Sequence, residues 1–160
     1  MKKLSLIICA ASVLFFASCQ SDAKKEDANG NTPSTVVDKM YQAVKAKDFA
    51  TAVAYNKIPD NVKIVNSNLY EQFVGYPANE DGKVIVPGDE WKSFLIDKMQ
   101  SQSENYALLD WEIVSEEISK TDPNSAKVKT KIHIMNGGSE SKVDCSFPLK
   151  RENGIWLIIG

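Results

Sequence analysis

Residues 126–160 have the sequence AKVKTKIHIMNGGSESKVDCSFPLKRENGIWLIIG. Apolar and polar side chains alternate along it with a period of two, which is typical of half-buried β-strands. Asn136-Gly137-Gly138 and Asn153-Gly154 interrupt the alternation with residues that favour hairpin turns. Another alternating run begins at Leu109 and slips in phase at Val114, as a β-bulge would cause. The stretch therefore predicts an antiparallel meander of about four strands.

The residues before this meander have helical spacing instead. Thr32 and Pro33 suit the start of a first helix, and Asp48 suits the cap of a short second one. A third helix is predicted at about 90–106, with Asp89 as its cap. Helices followed by an antiparallel meander predict an α+β domain, in which N-terminal helices pack on one face of a curved sheet.

Residues 62–89 allow more than one interpretation. Five apolar residues fit one face of a helix: Val62, Val65, Leu69, Phe73 and Tyr76. The string Val62-Lys63-Ile64 equally suits the start of a strand. Residues 75–89 are rich in Gly, Pro and Asp, and they predict a loop, with or without a short strand at Val84-Ile85-Val86. Such a loop is either a partner-binding element or a tolerated insertion.

The first 19 residues predict export and lipidation. Lys2 and Lys3 precede the predominantly apolar residues 4–16, a length that suits a signal peptide and is short for a membrane span. The following Ala17-Ser18-Cys19 resembles the lipobox of bacterial lipoproteins. That resemblance implies cleavage before Cys19 and attachment of lipid to its thiol.

Three parts of the chain follow from these patterns. We expect a signal peptide over 1–18, the lipidated Cys19 with a flexible tether over 19–32, and a single domain over 33–160, because residues 20–32 contain no large apolar side chain. The lipid would hold the protein on a membrane of the bacterial cell envelope. Gln20 after the lipidated cysteine is compatible, in the lipoprotein family, with the outer membrane, on either its periplasmic or its surface face.

Composition and charge restrict the class of partner. With 43% hydrophobic and 25% charged residues, the chain has the composition of a folded domain. Removal of Lys2 and Lys3 with the leader leaves 17 basic against 21 acidic side chains and no basic block, which argues against nucleic acid as a partner. Cys9 also leaves with the leader and Cys19 carries lipid, so Cys145 is left without a partner for an intrachain disulfide.

Two segments resemble nuclear transport factor 2-like domains. Residues 36–55, VVDKMYQAVKAKDFATAVAY, resemble the opening helix pair of that group, and residues 147–158, FPLKRENGIWLI, resemble its final hairpin. The nearest resemblance is to small bacterial lipoproteins with a domain of this kind, also called cystatin-like, of unknown function. It implies a cone in which a bent antiparallel sheet wraps a long helix. Related domains include isomerases, dehydratases, ligand binders and assembly modules, so the fold does not choose the function.

Candidate catalytic groups are few. His133 is the only histidine, and it falls on the lysine-bearing face of its strand, where it can form neither a triad nor a metal site. Cys145 is predicted to be a core thiol with no histidine to activate it. Asp110 is either a base inside the cone or an exposed carboxylate beside Trp111. No catalytic residue, metal or cofactor is predicted, because the sequence has no metal-ligand spacing and no phosphate-binding loop.

Aromatic and hydroxyl side chains supply a possible lining for a pocket in the cone: Tyr41, Tyr55, Trp91, Tyr106, Trp111 and Thr130. The same side chains would equally form a packed core. The first functional hypothesis is a non-catalytic module that binds a partner protein or a small apolar ligand. The alternative is an isomerase-type or hydrolase-type enzyme acting in the pocket. A third is assembly, with the exposed sheet face forming a homodimer.

Overall fold

The computed structural model describes residues 25–65, 73, 76 and 82–159. Within them the elements follow in the order α1 (Pro33–Lys45), α2 (Phe49–Ala54), β1 (Asn61–Ile64), β2 (Val84–Pro87), α3 (Gly88–Gln102), β3 (Tyr106–Ile118), β4 (Ser125–Asn136), β5 (Ser139–Glu152) and β6 (Ile155–Ile158). The predicted α+β class is confirmed. The signal peptide and Cys19 lie outside the described residues, as do most of residues 66–81.

The larger sheet is antiparallel and has the strand order β3-β4-β5-β6. Its last hairpin turns at Asn153 and Gly154, which both have positive φ (50° and 79°), as a two-residue hairpin turn of this type requires. The register of β3 on β4 shifts at the predicted bulge between Ile113 and Ser115, and again between Leu108 and Asp110. The four predicted strands and the bulge at Val114 are therefore confirmed.

The first helix is fixed at its start by two acceptors. The Thr32 hydroxyl accepts a hydrogen bond from Thr35 N (3.2 Å), which confirms it as the cap, and Pro33 occupies the first turn. A carboxylate oxygen of Glu116, on β3, accepts from Ser34 N at 2.8 Å. Because a helix N-terminus carries partial positive charge, this contact with an acidic side chain is favourable, and it joins α1 to the sheet.

Most buried residues belong to one cluster between α1, α2 and the inner face of the larger sheet. We call it the sheet core: Val36, Val37, Met40, Tyr41, Ala43, Ala52, Ala126, Val128, Leu149, Trp156 and Ile158. The helical residues recur with a period near 3.6, and the strand residues with a period of two. The apolar face of the helices therefore packs against the apolar face of the strands, as the sequence predicts.

A second cluster lies between α3 and the small antiparallel sheet of β1 and β2. We call it the aromatic core: Ile64, Phe73, Val84 and Val86 are buried, with Val62, Tyr76, Trp91 and Phe94 packed around them. The Phe73 ring centroid lies 5.0 Å from that of Phe94 and 5.9 Å from that of Trp91. Ring contacts of this kind stabilise a cluster that has few buried aliphatic residues.

The structure decides between the two interpretations of residues 61–64, and it corrects the predicted start and end of the third helix. Residues 61–64 form a strand and not the start of a helix, because Val62 pairs with Val86 and Ile64 with Val84 across the small sheet. Helix α3 begins one residue before Asp89, with Pro87 at the cap position, and Asp89 lies in its first turn. It ends at Gln102, so that Tyr106 opens β3 and is not helical. The short strand allowed at 84–86 is confirmed.

The junction between β2 and α3 depends on Gly88. Its N–H donates to Asp60 O at 2.7 Å, and a β-carbon at this position would lie 2.3 Å from Pro59 O. Only glycine therefore allows the α2–β1 connection to pass so close to the start of α3.

The tether prediction is wrong in its C-terminal part. Residues 25–31, expected to be flexible, fold against the last hairpin. Ala28 N donates to Gly154 O (2.7 Å), and the indole N–H of Trp156 donates to Lys25 O (2.9 Å). Asp27 is 9% exposed. Its carboxylate accepts from Asn29 N, Asn31 N and Trp156 N, three backbone donors that a flexible segment would leave to water.

The outer face of the larger sheet is polar. Cross-strand neighbours on it carry charges of both signs: Lys127, Lys129, Lys131, Lys142, Glu112, Glu117, Glu140 and Asp144. All eight are exposed. Homodimerisation through this face stays a prediction, and such an interface would be electrostatic in character.

Candidate functional site

An apolar groove of about 250 Å³ opens at one end of the sheet core. It lies where the C-terminal ends of α1 and α3 meet the start of β3 and the end of β4. Its apolar lining comes from Val44, Phe49, Met99, Ala107, Leu108, Ile132 and Ile134. Tyr41, Tyr106 and Gln102 also line it, and Lys45 and Lys47 are its cationic residues. The groove is slightly smaller than most small-molecule sites and is lined mainly by carbon.

Tyr41 lies at the base of this groove. Its hydroxyl is 2.9 Å from Thr130 Oγ1 on β4, and both side chains are buried. Its ring contacts Trp111 and Phe147 at centroid distances of 5.6 and 5.7 Å. Burial raises the pKa of Tyr41 to about 12, against the lowering effect of the Thr130 hydrogen bond, and the nearby Cys145 thiol raises it further. The phenol therefore stays protonated at neutral pH and cannot act there as a base.

Trp111 is held beside the groove by polar contacts. Its indole N–H donates to Asp38 Oδ1 at 2.8 Å, and the Lys45 ammonium lies 5.6 Å from the ring centroid. The same ammonium donates to Leu109 O at 2.7 Å, at the first bulge of β3. The bulge thus presents a carbonyl oxygen that holds the Lys45 ammonium over the indole ring. These contacts fix one side of the groove.

The six predicted lining residues lie in four different places. Tyr41 and Tyr106 line the groove, while Thr130 and Trp111 support Tyr41 from behind. Tyr55 packs at the edge of the sheet core, where its carbonyl accepts from Ile158 N (2.9 Å). Trp91 belongs to the aromatic core and does not line the groove. The structure therefore does not bring all six together as the lining of this groove: only Tyr41 and Tyr106 are among its lining residues.

The sequence analysis missed most of the apolar lining. Ile132 and Ile134 belong to the apolar set of the alternating run 126–135, but only aromatic and hydroxyl side chains were proposed as lining. The aliphatic residues at the end of this stripe were detectable from the same period of two. Met99 and Leu108 had no such pattern, since their position depends on how α3 packs.

Of the candidate catalytic groups, His133 and Asp110 lie away from the groove, and Cys145 lies near Tyr41 without lining the groove. His133 is on the outer face, where its Nε2 is 3.0 Å from Glu140 Oε2, and Asp110 is exposed on that face. Cys145 is half-buried and pairs in register with Thr130, so it is less enclosed than predicted. Among residues 25–65, 73, 76 and 82–159, no group of three or more His, Cys, Asp or Glu side chains is arranged to hold a metal.

A wider polar cleft of about 830 Å³ lies on the other side of α2. The α2–β1 connection and the start of α3 form its walls. Its charged lining residues are Lys57, Asp60, Asp89, Lys92 and Glu152. Lys57 Nζ and Glu152 Oε1 form an ion pair across it at 2.5 Å. Because charges of both signs are exposed in it, the cleft shows no preference for a ligand of one charge.

Comparison with known proteins bears on the fold. No family model and no curated protein matches the chain. Solved structures do match. One, a SEC-C motif containing protein from Rhodopseudomonas palustris, is 13% identical, with 80% of this chain and 75% of that chain covered and a TM-score of 0.50.

The chain is similar in fold to nuclear transport factor 2-like and cystatin-like domains. An NTF-2 like protein of unknown function from Shewanella oneidensis is 12% identical over 79% of this chain and 91% of its own, with a TM-score of 0.49. A cystatin-like domain of unknown function from Nostoc punctiforme is 11% identical over 77% and 68%, with the same score. Other structures of this kind are described as an epoxide hydrolase and a ketosteroid isomerase-like protein, so these likenesses concern the fold alone.

In the described part of the chain, no helix is both long and apolar enough to cross a bilayer.

Proposed function

We propose that this protein is a lipid-anchored component of the bacterial cell envelope, whose domain binds a small apolar ligand, or an apolar side chain of a partner protein, without transforming it. The observation that carries the proposal is the groove at the end of the sheet core. Met99, Leu108, Ile132 and Ile134 line it and are each only partly buried.

The size and lining of the groove support a small apolar ligand. Each Å² of apolar surface removed from water contributes about 25 cal/mol, and burial between Ile134 and Met99 would supply most of the affinity. Gln102 and Tyr106 provide polar groups at the rim, which can orient a ligand.

The titratable groups of the groove support binding over catalysis. Those among its described lining residues are Tyr41, Lys45, Lys47 and Tyr106. The pKa of Tyr41 is raised by burial, and Lys45 is committed to Leu109 O. General acid–base catalysis at neutral pH needs a group that titrates near that pH, such as a histidine or a carboxylate with a raised pKa. None of the described lining residues is of either type.

The groove is tested with N-phenylnaphthylamine, a neutral fluorophore that brightens in apolar sites. In a form of the protein that begins at Ser21, we expect saturable binding, weakened about tenfold by Ile134→Gln, which corresponds to about 1.4 kcal/mol. Met135→Gln is the matched control, because Met135 is the half-buried neighbour of Ile134 and does not line the groove. Equal loss of binding in both variants, or no binding at all, would contradict the proposal.

A native mass spectrum of the same form adds an independent test. Extra mass on the protein would identify the class of ligand that it acquires in the envelope. The reaction hypothesis would replace the binding hypothesis if the bound species were found chemically altered after incubation.

The anchor is tested separately with a labelled fatty acid. The full chain should incorporate the label and should stay with membranes, while Cys19→Ala should do neither. Incorporation of the label into Cys19→Ala would show that the lipobox interpretation is wrong.

A further inference from the structure

The folded N-terminal segment 25–31 determines where the chain leaves the domain. Its first residue is held by the bond from the Trp156 indole to Lys25 O, and its centre by the Asp27 carboxylate. Lys39 Nζ, on α1, donates to Asn31 Oδ1 at 2.6 Å and secures its last residue. The point of departure is therefore Lys25 beside the β5–β6 hairpin, and not the start of α1 at Pro33.

This point lies at one end of the larger sheet, together with two turns. The β5–β6 hairpin turns at 153–154, and Arg151 N donates to Asn124 O (2.7 Å) in the β3–β4 turn. We call segment 25–31, turn 119–124 and hairpin 153–154 the anchored end. Ala126 on β4 lies next to it, as the register partner of Leu149.

The groove lies at the opposite end of the same strands. Ile134, which lines it, is eight residues along β4 from Ala126, or about 27 Å at about 3.4 Å per residue. Helix α1 also runs from the anchored end toward the groove. Its first turn contacts Glu116 near the anchored end, and its last residue, Lys45, contacts Leu109 beside the groove.

The chain between Cys19 and Lys25 is short compared with this distance. Six residues span at most about 20 Å when fully extended. A domain inverted to point its groove at the bilayer would place Lys25 about 27 Å or more from the lipid surface. The short connection cannot reach that far. A free connection from Cys19 to Thr32 would have about 45 Å of reach and would allow the inversion.

We propose that the anchored end is a membrane-facing surface and that the groove opens toward the aqueous side of the envelope. The partner of this surface is the phospholipid bilayer that holds the lipid of Cys19. The proposal rests on the lipid anchor of the proposed function. It adds that the ligand reaches the groove from water or from another protein, and not directly from the bilayer.

Energy transfer to labelled lipid head groups tests this orientation. The full lipidated chain, with Cys145→Ser and one new cysteine carrying a fluorophore, is reconstituted in phosphatidylethanolamine–phosphatidylglycerol vesicles that contain an acceptor lipid. Asn124→Cys labels the anchored end, and Ser139→Cys labels the opposite hairpin. We expect transfer from position 124 to be several-fold stronger than from position 139. Equal transfer, or stronger transfer from position 139, would overturn the proposal.

Two variants show whether the short connection causes the orientation. Asp27→Ala removes the acceptor for three backbone N–H groups and should release segment 25–31 from the domain. Energy transfer from positions 124 and 139 should then become similar. Insertion of six Gly and Ser residues after Asp22 lengthens the connection without changing the domain, and should have the same effect. A several-fold difference that persists in the insertion variant would refute the role of connection length.

Vesicle flotation distinguishes this proposal from the one on which it rests. If the wild-type chain carries no lipid and does not float, both the anchor and the orientation are refuted. If it floats but its two labels transfer equally, only the orientation is refuted.

Discussion

The two hydrophobic cores of this protein are built in different ways. The sheet core joins two helices to strands of four to fourteen residues and includes Trp156, which is 0% exposed. The aromatic core joins two four-residue strands to one face of α3, and Trp91 and Phe94 are only half-buried in it. A two-stranded sheet is marginally stable by itself. The aromatic core therefore depends on ring contacts and on its attachment to the rest of the domain.

The largest expected effect contrasts the two tryptophans. Trp156→Ala should lower the free energy of unfolding by about 3–5 kcal/mol, because it leaves a cavity between α1 and the sheet. It also leaves Lys25 O without its hydrogen-bond donor. Trp91→Ala should cost clearly less, because its ring is already partly exposed. Urea denaturation measures both values.

Hydrogen exchange shows whether the cores unfold separately. In Trp91→Ala, amide protection should fall in β1, β2 and α3 and should persist in β4 and β5. Uniform loss of protection throughout the domain would show that the two clusters are one cooperative unit.

This contrast also separates what the sequence predicts from what it does not. The sheet core can be predicted from local periods. Val128 and Leu149 lie on strands in which apolar and polar side chains alternate, and Val36 and Met40 lie on one face of a helix. The pairing of Val62 with Val86 joins residues 24 apart, and no local period encodes it. At Val62 and Ile64, the first residues of the helical spacing, pairing with β2 determines the structure instead.

The candidate site shows the same division. Tyr41 lines the groove, and Thr130 and Trp111 contact Tyr41, because all three lie on the periodic inner faces of the sheet core. Met99 was missed as lining, because it reaches the groove only through the packing of α3. The attachment of segment 25–31 was missed because it depends on one carboxylate, Asp27, in a polar stretch that resembles a linker.

The junction that joins the aromatic core to α2 gives a smaller predicted effect. Gly88→Ala should cost about 1–3 kcal/mol, because its β-carbon would lie 2.3 Å from Pro59 O and the backbone would have to shift. Thermal denaturation measures the loss. Ser101→Ala, at an exposed position of the same helix, is the control and should stay within about 0.5 kcal/mol of the wild type. Equal stability of the two variants would mean that the connection can move freely.

The attachment of segment 25–31 to the sheet core should depend on pH. Burial raises the pKa of Asp27, but its hydrogen bonds from Asn31, Asn29 and Trp156 outweigh this and hold the pKa below its ordinary value of 3.8. A carboxyl whose pKa is lowered by folding stabilises the fold fully above its unfolded pKa, and this contribution is lost as the pH falls through the folded value.

Asp27→Asn should therefore lower stability near neutral pH by about 1 kcal/mol, and wild type and variant should converge in acid. Melting temperatures measured from pH 7 down to about pH 3 provide the comparison. A constant difference across that range would show that ionisation of Asp27 does not contribute.

The smallest effect is expected on the outer face, which belongs to neither core. Lys131 Nζ and Asp144 Oδ1 are 3.9 Å apart, and the Asp144 side chain is 84% exposed. Asp144→Ala should change the free energy of unfolding by less than about 0.5 kcal/mol, and added salt should remove even that. A larger change in a concentration-dependent melting temperature would instead indicate contact between copies through this face.

The two bulges of β3 also affect whether its free edge can pair with a strand of another chain. Within the described residues β3 is a terminal strand of the larger sheet, and a straight edge of thirteen residues would be a template for another chain. The register shifts beside Leu109 and Val114 divide that edge into short pieces of different phase, and each piece offers too few aligned backbone groups for lateral pairing. The irregularity that places Lys45 over Trp111 thus also makes the edge of β3 a poorer template for pairing with another chain.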